Sequence, residues 1–109
     1  MNKLIRDGSV AVIIANNFGA GWYSAHGVED LLYNPSIIEW LENKEHDKIL
    51  VYLNLKYPNL YDYRSSFVNS LVSDSLIVVW VPVGECFRIH EYDGSESVVL
   101  QKQEKWLTA

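Results

Sequence analysis

Two Asp-Gly dipeptides, Asp7-Gly8 and Asp93-Gly94, constrain the fold of this chain more than any other feature. Each separates two β-forming runs. Lys3-Leu4-Ile5-Arg6 and Ser9-Val10-Ala11-Val12-Ile13-Ile14-Ala15 flank the first; Cys86-Phe87-Arg88-Ile89-His90-Glu91-Tyr92 and Ser95 to Gln101 flank the second. A two-residue type I′ turn requires positive φ at both central positions, which glycine takes freely and aspartate tolerates. Both segments are therefore predicted hairpins. Leu76-Ile77-Val78-Val79-Trp80-Val81 is a further strand. Being apolar on both faces, it is expected at the centre of a sheet or covered on both sides. Pro82-Val83-Gly84-Glu85 supplies a turn, so 76–81 is expected to pair antiparallel with 86–92, and that strand with 96–101.

Helices occupy the middle of the chain. Asn34 is a capping residue type and Pro35 suits a first helical turn, where no intrahelical N–H bond is lost. A helix is predicted over 35–43, with Ile37, Ile38 and Leu41 on one face, and a second over 45–57, where Ile49, Leu50, Leu53 and Tyr57 recur at helical spacing before Pro58. Val28 to Tyr33 is a first short helical stretch. Within 59–75 a loop with a short helical stretch from Arg64 to Leu71 is expected. The fold class is α+β, one domain over residues 1–109. It is expected as a five-stranded, mainly antiparallel sheet, an N-terminal hairpin plus a C-terminal three-strand meander, with two helices packed on one face.

Charge and cysteine content narrow the function. Nine Lys and Arg against 14 Asp and Glu leave a net charge of -5, and the nine cations never adjoin one another. Nucleic-acid binding draws most of its affinity from clustered cations that displace counterions from phosphates, so no nucleic-acid partner is expected. Cys86 is the single cysteine, which excludes an intrachain disulfide and a cysteine-based zinc site and fits a reducing cytoplasm. In the absence of an activating motif it is expected to be a buried or semi-buried small hydrophobe. The opening Met1 to Asp7 reads as a strand, not a signal peptide. The longest apolar run, Leu76 to Val83, is too short to cross a bilayer, so no membrane association is expected.

The segment with most chemical potential is Asn16-Asn17-Phe18-Gly19-Ala20-Gly21-Trp22-Tyr23-Ser24-Ala25-His26-Gly27. Glycines let backbone N–H groups approach a ligand, the aromatics offer stacking surface, and Ser24 and His26 offer polar groups. Neither a dinucleotide nor a P-loop fingerprint is completed. The structural alternative is a tight bend whose Trp22 and Tyr23 plug the core edge. On the strand 86–92, period-two alternation puts Arg88, His90 and Tyr92 on one face and Phe87, Ile89 and Glu91 on the other. An Arg–His–Tyr stripe suits a phosphate or carboxylate; its alternative is an ordinary polar sheet face. Asn17, Gly19, Gly21, Trp22, Tyr23, Ser24, His26, Arg88 and His90 are the candidate ligand-binding residues. His26, His46 and His90 share no metal-ligand spacing, and no metal or cofactor is expected. Glu91, Asp93 and Glu96 cluster at the second hairpin tip, where solvation is expected and catalysis is not. Trp40 is expected in the core. Trp106, in the polar tail after Gln101, must dock on this domain or on a neighbouring chain.

The opening strand pair, the Gly19-Ala20-Gly21-Trp22-Tyr23-Ser24 loop and the closing Phe87-Arg88-Ile89-His90-Glu91-Tyr92-Asp93-Gly94-Ser95-Glu96 together resemble a family of short uncharacterised tailed-bacteriophage proteins. The resemblance implies expression inside an infected bacterium and an accessory counter-defence role in the host cytoplasm. The leading expectation is non-catalytic binding of a small nucleotide-like ligand, sequestering a host signalling nucleotide, by a protein that self-associates as a homodimer or larger homo-oligomer. The alternative is a protein-binding inhibitor or adaptor acting on a host protein; a small enzyme ranks third.

Overall fold

The structure, a computed structural model, describes residues 2–17, 21–59, 72 and 75–103. Both Asp-Gly hairpins are present. Asp7 and Gly8 have φ of 49° and 77°, Asp93 and Gly94 φ of 52° and 87°, so both turns take the left-handed geometry that makes this dipeptide a hairpin signal. The first joins β1 (Ile5–Arg6) to β2 (Ser9–Ala15), the second β4 (Phe87–Tyr92) to β5 (Ser95–Leu100).

The expected single five-stranded sheet is corrected. Strand β3 (Leu76–Pro82) pairs antiparallel with β2, not with β4, in a register running from Ser9 opposite Pro82 to Ala15 opposite Leu76. The molecule thus carries a three-stranded sheet of order β1-β2-β3 and a separate two-stranded sheet, β4-β5. The reason lies in β2. Ala11 to Ala15 are all buried, so this strand, and not β3, takes the doubly covered centre. Helices on one face alone would leave Val12 and Ile14 in water. Instead, the β4–β5 hairpin folds back over that face, and Phe87, Ile89, Val98 and Leu100 pack around Val12, Ile14, Leu32 and Val81. Strand β3 lies at the sheet margin, with Ile77 and Trp80 exposed.

The opposite face of β2 carries the larger core. Ala11, Ile13 and Ala15 meet Trp22, Leu31, Ile37, Ile38, Ile49 and Leu53. Trp22 immediately precedes α1 (Tyr23–His26); the others come from α2 (Glu29–Tyr33), within the short helical stretch expected at Val28–Tyr33, and from α3 (Pro35–Glu42) and α4 (His46–Lys56), the two expected packed helices. The start of α3 is as the sequence dictates. Asn34 Oδ1 accepts from the N–H groups of Ser36 and Ile37 at 2.9 and 3.1 Å, and Pro35 opens the first turn. The same side chain donates from Nδ2 to Asp30 Oδ1 and Tyr52 Oη, so one asparagine caps α3 and ties α2 to α4. The helical stretch expected at Arg64–Leu71, and the docking of Trp106, lie outside the described residues.

Candidate functional site

A groove of about 470 Å³ runs beside β4, walled on one side by α1 and α2. Tyr23, Tyr33 and Phe87 supply aromatic surface, Leu32 and Ile89 aliphatic surface, and Ser24, Glu29 and Arg88 the polar groups. The Tyr33 and Phe87 rings meet edge to face at 6.5 Å, a favourable aromatic geometry. Lys3 Nζ stands 4.6 Å from the Tyr33 ring centroid, placing a second cation against this wall. A smaller depression of about 370 Å³, lined by Cys86, Phe87, Arg88, Val99 and Gln101, shares Phe87 and Arg88 with the groove. The groove's volume falls in the range of small-molecule sites.

One wall is set by a buried carboxylate. Glu96 of β5 is 3% exposed, which corrects the expectation of a solvated acidic cluster at the hairpin tip. Its Oε1 accepts from Ala15 N–H at 2.9 Å. Its Oε2 accepts from Trp22 N–H at 3.1 Å, Ser24 N–H at 2.7 Å and Ser24 Oγ–H at 2.6 Å. Three backbone donors and one hydroxyl from two chain segments thus converge on one side chain and offset its desolvation. The consequence for the groove is direct: Tyr23 lies between two residues held by Glu96. The other acidic tip residue, Glu91, behaves as expected of a turn and accepts from Gly94 N–H.

The candidate residues separate into distinct groups. Tyr23, Ser24 and Arg88 line the groove together. Trp22 does not. Its side chain is fully buried, its Nε1–H donates to Leu31 O at 2.9 Å, and its ring meets His26 edge-on at 5.0 Å. The structural alternative holds for this residue; of the two adjacent aromatics, Tyr23 and not Trp22 lines the groove. His26 packs edge-on to both Trp22 and Tyr23, and its Nδ1 accepts from Val28 N–H. Burial pushes its pKa down to about 4, against the opposing charge of Glu96. His90 lies two residues beyond Arg88 on the exposed face of β4, outside the groove lining. Asn17 donates to Ser75 Oγ and belongs to the β2–β3 end of the sheet. Gly21 adopts φ 79° next to Trp22, where a side chain would be strained. Gly19 lies outside the described residues. Cys86 is exposed, contrary to the expected buried hydrophobe, because it precedes β4 at the surface.

Ser24, His26 and Glu96 include the residue types of a hydrolase triad, but their bonds do not form a relay. Ser24 gives its hydroxyl proton to Glu96, and His26 Nδ1 holds a backbone N–H. No group of three or more metal-ligating side chains is found among the described residues, and no described helix is long and apolar enough to cross a membrane.

A second polar cluster, at Asp30, has no counterpart among the sequence motifs. Asp30 Oδ2 accepts from the hydroxyls of Tyr52 and Tyr57 at 2.6 and 2.7 Å, with Lys56 Nζ at 3.5 Å. Burial acts to raise the Asp30 pKa, yet the bonds from Tyr52, Tyr57 and Asn34 and the charge of Lys56 hold it below the ordinary carboxylate value. Burial, with the bond to Asp30, pushes the Tyr57 phenol up to about 12. With its acceptors filled by α3- and α4-bound donors, Asp30 is a clasp between helices.

Glu29, Leu32, Tyr33, Phe87 and Ile89 are the groove residues that were not among the sequence candidates. The available signal was the i,i+4 spacing of Glu29 and Tyr33, which puts both on one side of α2. No protein-family model, curated protein or solved structure matches this chain.

Proposed function

We propose that the groove beside β4 binds a small nucleotide-like ligand without transforming it. The observation that carries this reading is the grouping of Tyr23, Tyr33 and Phe87 around a cavity that Arg88 also lines. Aromatic faces accept a planar base, and a guanidinium pairs bidentately with a phosphate. The engagement of Ser24 with Glu96 and of His26 with Val28 supports binding over catalysis. The resemblance to phage proteins supplies the biological setting, sequestration of a host signalling nucleotide in the infected cell. The test is thermal denaturation with AMP, GMP, cyclic AMP, adenosine and inorganic phosphate. Nucleotides should raise the melting temperature more than adenosine or phosphate alone, since a ligand that binds only the folded state stabilises it by mass action. Arg88→Ala should remove the shift. Failure of every nucleotide to move the melt overturns the proposal.

A second reading, a protein-binding inhibitor or adaptor, is favoured by one observation. Val51 and Leu55 are 58% and 78% exposed one turn apart on α4, an apolar stripe suited to a protein contact. The same stripe suits the self-association expected from the sequence. Sedimentation equilibrium separates the two. A dimer mass that Leu55→Glu converts to monomer assigns the stripe to self-association, and a monomer across the micromolar range removes that assignment.

A further inference from the structure

We propose that the groove selects guanine over adenine and cytosine, with the Glu29 carboxylate reading the base's Watson–Crick edge; this rests on the reading of the groove as a nucleotide site. Adjacent acidic residues on α2 have different fates. Asp30 has its oxygens filled by Asn34, Tyr52 and Tyr57. Glu29 is exposed, lines the groove, and among the described residues has no hydrogen-bond or ion-pair partner. It stands on the same wall as Tyr33, whose phenol is raised by burial first and then by the charges of Glu29 and Tyr23, so these three side chains share one electrostatic neighbourhood.

The chemistry of a carboxylate decides among bases. An ionised carboxylate only accepts hydrogen bonds, through two oxygens in one plane. Guanine presents two adjacent donors, N1–H and the exocyclic amine, that match this pair. Adenine and cytosine each place an acceptor ring nitrogen beside their amine donor, so one carboxylate oxygen would face a lone pair. A site whose polar group is left unmatched rejects the wrong ligand strongly. Arg88 and Lys3 complete the arrangement with positive charge for the phosphate, which a protein of net charge -5 must provide locally.

The experiment is isothermal titration calorimetry of the full chain with GMP, IMP and AMP, using the wild type, Glu29→Gln and Arg88→Ala. IMP keeps N1–H and lacks the exocyclic amine. GMP should bind about tenfold or more tightly than AMP, the discrimination expected of one bidentate pair, with IMP between them. Glu29→Gln should bring GMP and AMP to within about twofold of each other, because its amide replaces one acceptor with a donor. Arg88→Ala should weaken all three alike. Equal or tighter binding of AMP, lost in Arg88→Ala, overturns the guanine assignment and leaves the groove as a nucleotide site. A GMP preference that survives Glu29→Gln removes Glu29 as the reader. Absence of binding by all three overturns both readings.

Discussion

Replacing Glu96 tests how the groove wall is built. In Glu96→Ala, the N–H groups of Ala15, Trp22 and Ser24 and the Ser24 hydroxyl lose their common acceptor. Removing one member of a buried charged network typically costs about 3–5 kcal/mol, because the remaining groups stay desolvated. Glu96→Gln is the sharper variant. Its amide oxygen can replace Oε2 and keep the bonds to Trp22 and Ser24. Its NH2 then faces Ala15 N–H, a donor against a donor. One lost bond and one unsatisfied N–H amount to about 1–3 kcal/mol. Ser24→Ala deletes one hydroxyl bond and should cost about 1 kcal/mol. The assay is urea unfolding of the three variants, with an unchanged m-value required for the comparison. The order Ala above Gln above the Ser24 variant is expected. A Glu96→Ala cost within about 0.5 kcal/mol of zero, the usual range for a surface substitution, would refute the reasoning.

Three further outcomes follow from named contacts. Trp22→Ala should cost about 3–5 kcal/mol and collapse the thermal melt, since the ring fills the core and its Nε1–H is bonded to Leu31; a melt unchanged from wild type would return Trp22 to the list of ligand contacts. His26 titrates at about 4 in the folded protein against 6.5 when free. The unfolded chain therefore binds more protons between these values, and stability present in full above about pH 6.5 is lost as pH falls towards 4. The loss is about 1–2 kcal/mol after solvent screening of the partly exposed ring, and His26→Gln should flatten that part of the stability–pH curve; an equal slope in the variant assigns it elsewhere. Tyr57→Phe removes one of the bonds to Asp30 and should cost about 1 kcal/mol, Asp30→Ala about 2–3 kcal/mol because three donors lose their acceptor; equal costs in chemical unfolding would contradict the clasp.

The parts of this fold legible in sequence are those decided by short-range rules. Asp-Gly requires positive φ, and Asn34-Pro35 opens a helix, whatever the rest of the chain does. Strand pairing is long-range, and there the nearest-neighbour assumption that placed β3 beside β4 failed. The deciding signal was present: Val10 to Ala15 is as continuously apolar as Leu76 to Val81, and two such runs satisfy each other at the centre of a covered sheet. Glu96 was also within reach. Alternation along β5 puts it on the same side as Val98 and Leu100, which pack in the core, yet proximity to the turn outweighed parity. Arg88 and Tyr23 were legible as candidates because strand parity and loop composition single them out. That Tyr33, Glu29 and Phe87 join them depends on how α2 meets β4, which no local pattern encodes.

The most direct test of the groove as a binding site is a ¹H–¹⁵N correlation spectrum of the labelled protein titrated with GMP. Saturable shifts are expected at Tyr23, Ser24, Glu29, Leu32, Tyr33 and Phe87 to Ile89, lost in Arg88→Ala. Shifts confined to the Val51–Leu55 face of α4, or a spectrum unchanged at millimolar nucleotide, would contradict it.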